Sequence, residues 1–263
     1  MAELYRRQVL CVDSSEREDA ANTTPARYTV KFRVVKSVKM VRLLTCEIPN
    51  SEYVFNTSLN KIDFEIDVAS GGGAPPGVYT ATLTPGTYTG TELANEITDK
   101  MNDVMLTGFG ITFVATYITY QQKIRIDRVD GLGNYRLLWA TGPNSAGNCA
   151  RQLGFDPPVD TAFATTLSST AILSLSGDNY LYMCVRQLPS TRNVHDIDDL
   201  FAKIVLSVPP RSIVFDSFAS AEQIFEQPVD LRQLDIRFRK PNGVDVDFQK
   251  IEHSFTLEIY TTN

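Results

Sequence analysis

The chain has 263 residues, of which 43% are hydrophobic and 21% charged, with 15 Gly and 13 Pro. This profile excludes collagen-like, low-complexity and disordered classes, and the length is enough to bury a core without a disulfide or metal staple. A net charge of −6, from 25 Lys+Arg against 31 Asp+Glu, argues against a surface built to coat nucleic acid.

Along the chain, residues 1–25 read as a polar surface arm with the acidic stretch Glu16, Glu18 and Asp19. Its first ten residues, MAELYRRQVL, lack a signal-peptide apolar region, and no apolar run reaches the roughly 18 residues of a membrane span. Cytoplasmic synthesis is expected. From Arg27, Tyr28, Val30, Phe32 and Val34 alternate with Thr29, Lys31 and Arg33, the period of two that a half-buried strand requires. A second strand is predicted over Ser37 to Ile48, stopped by Pro49, and a third over Ile62 to Val68.

Gly71 to Gly77 is the strongest break and reads as a hinge, without the lysine of a phosphate-binding loop. Beyond it the character turns mixed. Thr89-Gly90-Thr91-Glu92 fits a capping box, and Leu93, Ile97, Met101 and Val104 follow at helical spacing. A hairpin is expected from Ile111 to Arg128, a strand at Tyr135 to Trp139, and a short helix from Ser145 to Leu153 ended by Gly154. After Pro157-Pro158 the chain returns to strands, with candidates at Ile172–Leu175, Asn179–Arg186, Ala202–Ser207, Ile213–Ser217, Leu234–Arg239 and Ser254–Tyr260. About nine scaffold strands suit a two-sheet sandwich. The expected architecture is mainly β: a single jelly roll from 26–70 and 158–263, interrupted by an α+β insertion at 77–156.

Few groups here belong to catalysis. The four cysteines are scattered and read as reduced thiols, and neither His195 nor His253 stands in a metal-ligand spacing. No nucleophile elbow is present. His195-Asp196-Ile197-Asp198-Asp199 gathers carboxylates, yet lacks the glycine turn and terminal glutamate of a calcium loop, so it reads as a solvated acidic loop. No catalytic residue, metal or cofactor is expected.

Charge is unevenly spread. Arg27, Lys31, Arg33, Lys36, Lys39 and Arg42 form an all-basic segment, which leaves the rest of the chain at −12. Such a stripe can meet an acidic neighbour or a phosphate, or be a solvated strand face whose lysines discourage edge pairing. These six residues, with Asp196, Asp198 and Asp199, are the candidate subunit contacts, in which charge would set register. A glycan-binding alternative rests on Tyr117, Tyr120, Tyr135 and Trp139 in the insertion.

Four separated segments, in order, carry a resemblance. They are Arg42-Leu43-Leu44-Thr45-Cys46-Glu47-Ile48-Pro49-Asn50-Ser51, then Gly86-Thr87-Tyr88-Thr89 with Glu92-Leu93 and Ile97, then Arg151-Gln152-Leu153-Gly154-Phe155, then Gly177-Asp178-Asn179-Tyr180-Leu181-Tyr182. Together they resemble the minor capsid and penton proteins of large icosahedral double-stranded DNA viruses of the nucleocytoplasmic type and their relatives. The resemblance implies a jelly-roll fold, a place in the virion shell and no catalysis. It further implies a homopentamer at a vertex, with the major capsid protein and other minor capsid proteins as partners. Another minor shell protein, of the cement or scaffold kind, is the alternative within that family.

Overall fold

The computed structural model describes residues 5–19, 23–67, 77–105, 110–130, 133–156, 158–189, 197, 199–210, 212–217 and 221–262. The chain divides into two compact units: residues 1–52 with 178–263, and residues 53–177. The second is thus longer at both ends than the 77–156 insertion expected from sequence. Most of the 71–77 hinge lies outside the described residues.

The first unit is a seven-stranded antiparallel sheet of β1 (Tyr5–Asp13), β2 (Arg27–Asn50), β9 (Tyr180–Val185), β10 (Leu200–Val205), β11 (Ser212–Ser217), β12 (Glu222–Arg239) and β13 (Ser254–Thr262). The order is β1-β13-β2-β12-β9-β10, with β11 pairing the end of β2 that β12 does not reach. Residues from both ends of this order, such as Val12 and Phe255 at one and Leu181 and Ile204 at the other, share one apolar cluster. The sheet therefore folds over a single core, as a jelly roll does.

Two expectations change here. The supposed arm contains β1, fully paired with β13 from Tyr5↔Thr262 to Asp13↔Ser254. The two strands predicted on either side of Lys36 are one strand, β2. Where a break was expected, Ser37 adopts φ +54 and its N–H donates to Asp230 Oδ1 at 2.9 Å, while the β2–β12 register shifts three times between Ile224 and Gln233. Bulges bend a strand and re-aim its side chains. Tyr28 and Val30 are buried as the alternation predicted, but Val34, past the shift, is 47% exposed.

A second device ties the chain ends of this unit together. Ser14 N–H donates to the His253 carbonyl (2.9 Å), His253 N–H to Ser14 Oγ (2.9 Å), and Arg17 bridges the Ser14 carbonyl and Glu252. The His253 ring packs among Tyr28, Phe238 and Phe248 with centroids 4.6–5.7 Å away. Nε2 donates to the Pro25 carbonyl at 2.7 Å while Nδ1 has no partner, the pattern of a neutral imidazole.

Among the described residues the second unit holds two three-stranded sheets and one α-helix. β3 (Lys61–Ile66) is central between β4 (Val78–Thr82) and β7 (Tyr135–Leu137), and β6 (Lys123–Arg128) lies between β5 (Phe113–Ile118) and β8 (Thr166–Ser168). The sequence assigns β3 to the jelly roll; its partners place it in this unit, which also absorbs Ile172–Leu175 without a strand. Helix α1 (Gly90–Met105) starts on the expected capping box: Thr89 N–H donates to Glu92 Oε2 (2.8 Å) and Glu92 N–H to Thr89 Oγ1 (3.3 Å). Its Leu93, Ile97 and Met101 are fully buried.

The helix also closes the free edge of β5. Asn102 pairs both ways with the Phe113 backbone (2.7 and 2.9 Å), and Thr98 Oγ1 accepts from Ala115 N–H (2.8 Å). An edge strand capped in this way offers no template for another chain. The helix expected at Ser145–Leu153 is only a 3-10 turn, Ser145–Gly147. Gly154 sits at φ +79 with the Ala171 carbonyl oxygen 2.4 Å from where a Cβ would be, so the turn admits only glycine.

The loop after β7 is held by Asp63, a fully buried carboxylate on β3. It accepts from Thr80 Oγ1 (2.7 Å), Asn144 N–H (2.7 Å) and Asn144 Nδ2 (2.8 Å). Asp63→Ala leaves these donors without their acceptor, and a loss of about 3 kcal/mol is expected. Trp139, the single tryptophan, is buried in this unit against Phe155, so its fluorescence in a urea titration reads the loss directly.

Burial is the main cause that holds the His253 pKa down to about 4 from an ordinary 6.5, against the opposing pull of the Pro25 carbonyl, Glu252 and Asp13. As the pH falls, the unfolded chain takes up this proton before the folded one. The stability that depends on a neutral His253 is therefore complete above about pH 6.5 and lost progressively down to about pH 4, by up to about 3 kcal/mol. Calorimetry across that window should show a falling transition temperature for the first unit, and His253→Phe should flatten it.

Candidate assembly surface

The outward face of the β1-β13-β2-β12 layer carries a ladder of alternating charge. Register aligns Val9, Glu258, Arg42 and Glu222 across the four strands. Arg42 donates to Glu222 Oε2 (3.0 and 3.2 Å) and lies 3.7 Å from Glu258, which also pairs with Arg7, two residues along β1 from its register partner Val9. The order Arg7, Glu258, Arg42, Glu222 puts each charge beside its opposite, the favourable cross-strand arrangement. The hydrogen bond to Glu222 leads in raising the Arg42 pKa above its ordinary value. Glu258 is buried beneath its two arginines.

At the end of this layer β11 pairs with β2 alone, and among the described residues no strand covers its other edge. Val214 is buried, while Ile213 and Phe215 on the opposite face are 64% and 69% exposed. An edge strand with large apolar side chains turned outward is a site at which another chain adds. Sequence reasoning treated this segment only as a strand. Its signal was the uninterrupted Ile213-Val214-Phe215, which puts apolar groups on both faces where a surface strand needs them on one.

The predicted contact residues are dispersed. Arg33 and Lys36 are exposed; Lys31 is ion-paired with Glu18 (2.6 Å) and Lys39 donates to the Glu226 carbonyl (2.8 Å). Arg42 belongs to the internal ladder, and Arg27 lies at the other end of β2, opposite Arg237. The stripe is broken because the bulges around Ser37 turn successive residues to different directions. Asp196 and Asp198 lie outside the described residues; Asp199 lines the same cavity as Arg27.

Among the described residues no three His, Cys, Asp or Glu side chains gather as metal ligands, and no helix is long and apolar enough to cross a membrane. All four cysteines are free, with Cys46, Cys149 and Cys184 buried. Burial pushes the Cys46 thiol up to about 12 and the Cys184 thiol up to about 11, far from a reactive thiolate. The aromatic platform proposed for glycans is not formed: Tyr135 and Trp139 are core, while Tyr120 alone of the four is fully outside, at 85% exposure.

An antiparallel sheet folded over one core, with an α+β unit spliced into the chain, has a likeness among solved structures. The crystal structure of the mavirus penton protein superposes with a TM-score of 0.53 at 8% sequence identity, covering 99% of this chain and 100% of that one. A chain of the Sputnik virophage gives 0.42 at 8% identity, over 98% of each chain. The nucleocytoplasmic type named in the sequence resemblance is thus only loosely matched. By sequence, residues 6–188 match the family described as "Family of unknown function (DUF5901)", and the chain belongs to that family. No curated protein matches.

Glu258→Gln keeps the shape of the ladder and removes its central anion, which leaves Arg7 and Arg42 facing each other. A loss of about 1 kcal/mol in urea unfolding is expected, smaller at molar salt because both arginines reach solvent.

Proposed function

We propose that this protein is a structural capsid protein, a penton subunit that closes the vertices of an icosahedral double-stranded DNA virus as a pentamer. The observation that carries the reading is the fold likeness to the mavirus penton protein over essentially the whole of both chains. The β11 edge that no described strand covers adds a physical means of assembly, since Ile213 and Phe215 stand exposed on it. Ring closure requires only that this face match a different face of the next copy at a fixed rotation. The work of such a protein is shape, not catalysis. Its partners are copies of itself, the major capsid protein and other minor capsid proteins, and its place is the virion, after assembly in the host cytoplasm.

Mass photometry of the purified protein should show a species five times the mass of the 29.3 kDa chain, alone or on co-expression with the major capsid protein of the same shell. The pair Ile213→Ser and Phe215→Ser should abolish that species while leaving thermal stability unchanged, because neither side chain is part of the core. Monomer alone under every one of these conditions overturns the reading.

A further inference from the structure

Far from the β11 edge, the other end of β2 builds a second feature with β12 and β9. Register sets Arg237 of β12 directly opposite Arg27 of β2 and, on its other side, Cys184 of β9; Arg239 follows on the same face two residues later. With Arg186, just past the end of β9, these four arginines line a cavity of about 540 Å³. Their charges are not balanced from within. Asp245 pairs with Arg237, and Asp235 is occupied by Thr29 Oγ1 (2.8 Å) and Gln187 Nε2 (2.8 Å). Among the described residues Arg27, Arg186 and Arg239 have no ion pair, and Asp199 is the one carboxylate of the lining not yet engaged by a side chain. The Nε of Arg239 is sealed from solvent with no acceptor.

Two costs follow: the guanidinium groups of Arg27, Arg186 and Arg239, which have no ion pair, share one cavity and repel, and the buried Arg239 Nε without an acceptor forfeits its hydrogen bond. One anion relieves both. A carboxylate fills one guanidinium fork with its two oxygens, whereas a phosphate offers three, enough to bridge forks that approach from different strands. The volume falls in the range of small-molecule sites, about 300–1,000 Å³. We propose that this cavity binds a compact polyanion bearing phosphate groups, held by Arg27, Arg186 and Arg239, with Gln233 as a neutral hydrogen-bonding neighbour.

Pyrophosphate is the probe, titrated into the full-length protein by isothermal calorimetry with melting followed in parallel. Saturable binding that weakens with salt and raises the melting temperature is expected. Arg27→Gln and Arg186→Gln, whose exposed side chains have no internal partner, should each weaken it about tenfold or more while leaving the circular dichroism spectrum unchanged. Arg33→Gln, on the same strand but outside the cavity, should leave it unaltered. Absence of saturable heat overturns the proposal, as does equal affinity in the two cavity variants. Binding of a tetraglutamate peptide without binding of pyrophosphate also overturns it, and assigns the cavity to an acidic chain segment instead.

Discussion

The first unit depends on one constraint, the length of β2. At 24 residues it would run roughly 80 Å if straight, far beyond the roughly 30 Å breadth of a small domain. It must bend, and it does so where Ser37 takes a left-handed backbone conformation and β12 slips register beside it. One end of β2 then pairs with β12, which leads on to β9 and β10, while the other pairs with β13 and β11. A single strand thus serves both layers of the sandwich, and the core is what the two layers enclose.

Because the inner faces are committed to that core, everything left for recognition lies on outward faces and edges. The polar devices of the fold sort accordingly. Ser14, Arg17, Glu252 and the neutral His253 lock the strands of the chain ends inside the unit, and the Arg7–Glu258–Arg42–Glu222 ladder ties four strands across the outside. In the second unit, Asn102 and Thr98 cap the β5 edge. The protein closes an edge with side chains in one place, while in another no described strand covers β11, with Phe215 and Ile213 turned out. That contrast is physical support for an assembly role, since an apolar open edge is a liability in a monomer and a contact in a shell.

The charged residues divide by the same logic. The basic segment looked continuous because its members are close in sequence, yet the bend of β2 distributes them among a salt-bridge ladder, a backbone contact, open surface and an arginine-lined cavity. Arg27 gains its meaning from Arg237 and Arg239, which follow it by some two hundred residues in sequence and lie beside it in the sheet.

Composition and local period were enough to establish a mainly β protein, the capping box of Thr89 and Glu92 that starts its helix, and the alternating strand β3. These features are encoded within one or two turns or a few strand residues, where side-chain spacing alone selects the structure. The tertiary structure alone decided that β3 leaves the jelly roll for the inserted unit, that the N-terminal segment is a sheet strand, and that Ser37 bends a strand and does not end it. It also decided which charges meet. A period of two says which residues share a face but not which strand lies alongside, and that choice is made by long-range register between segments such as Arg7 and Glu258 that no local pattern connects.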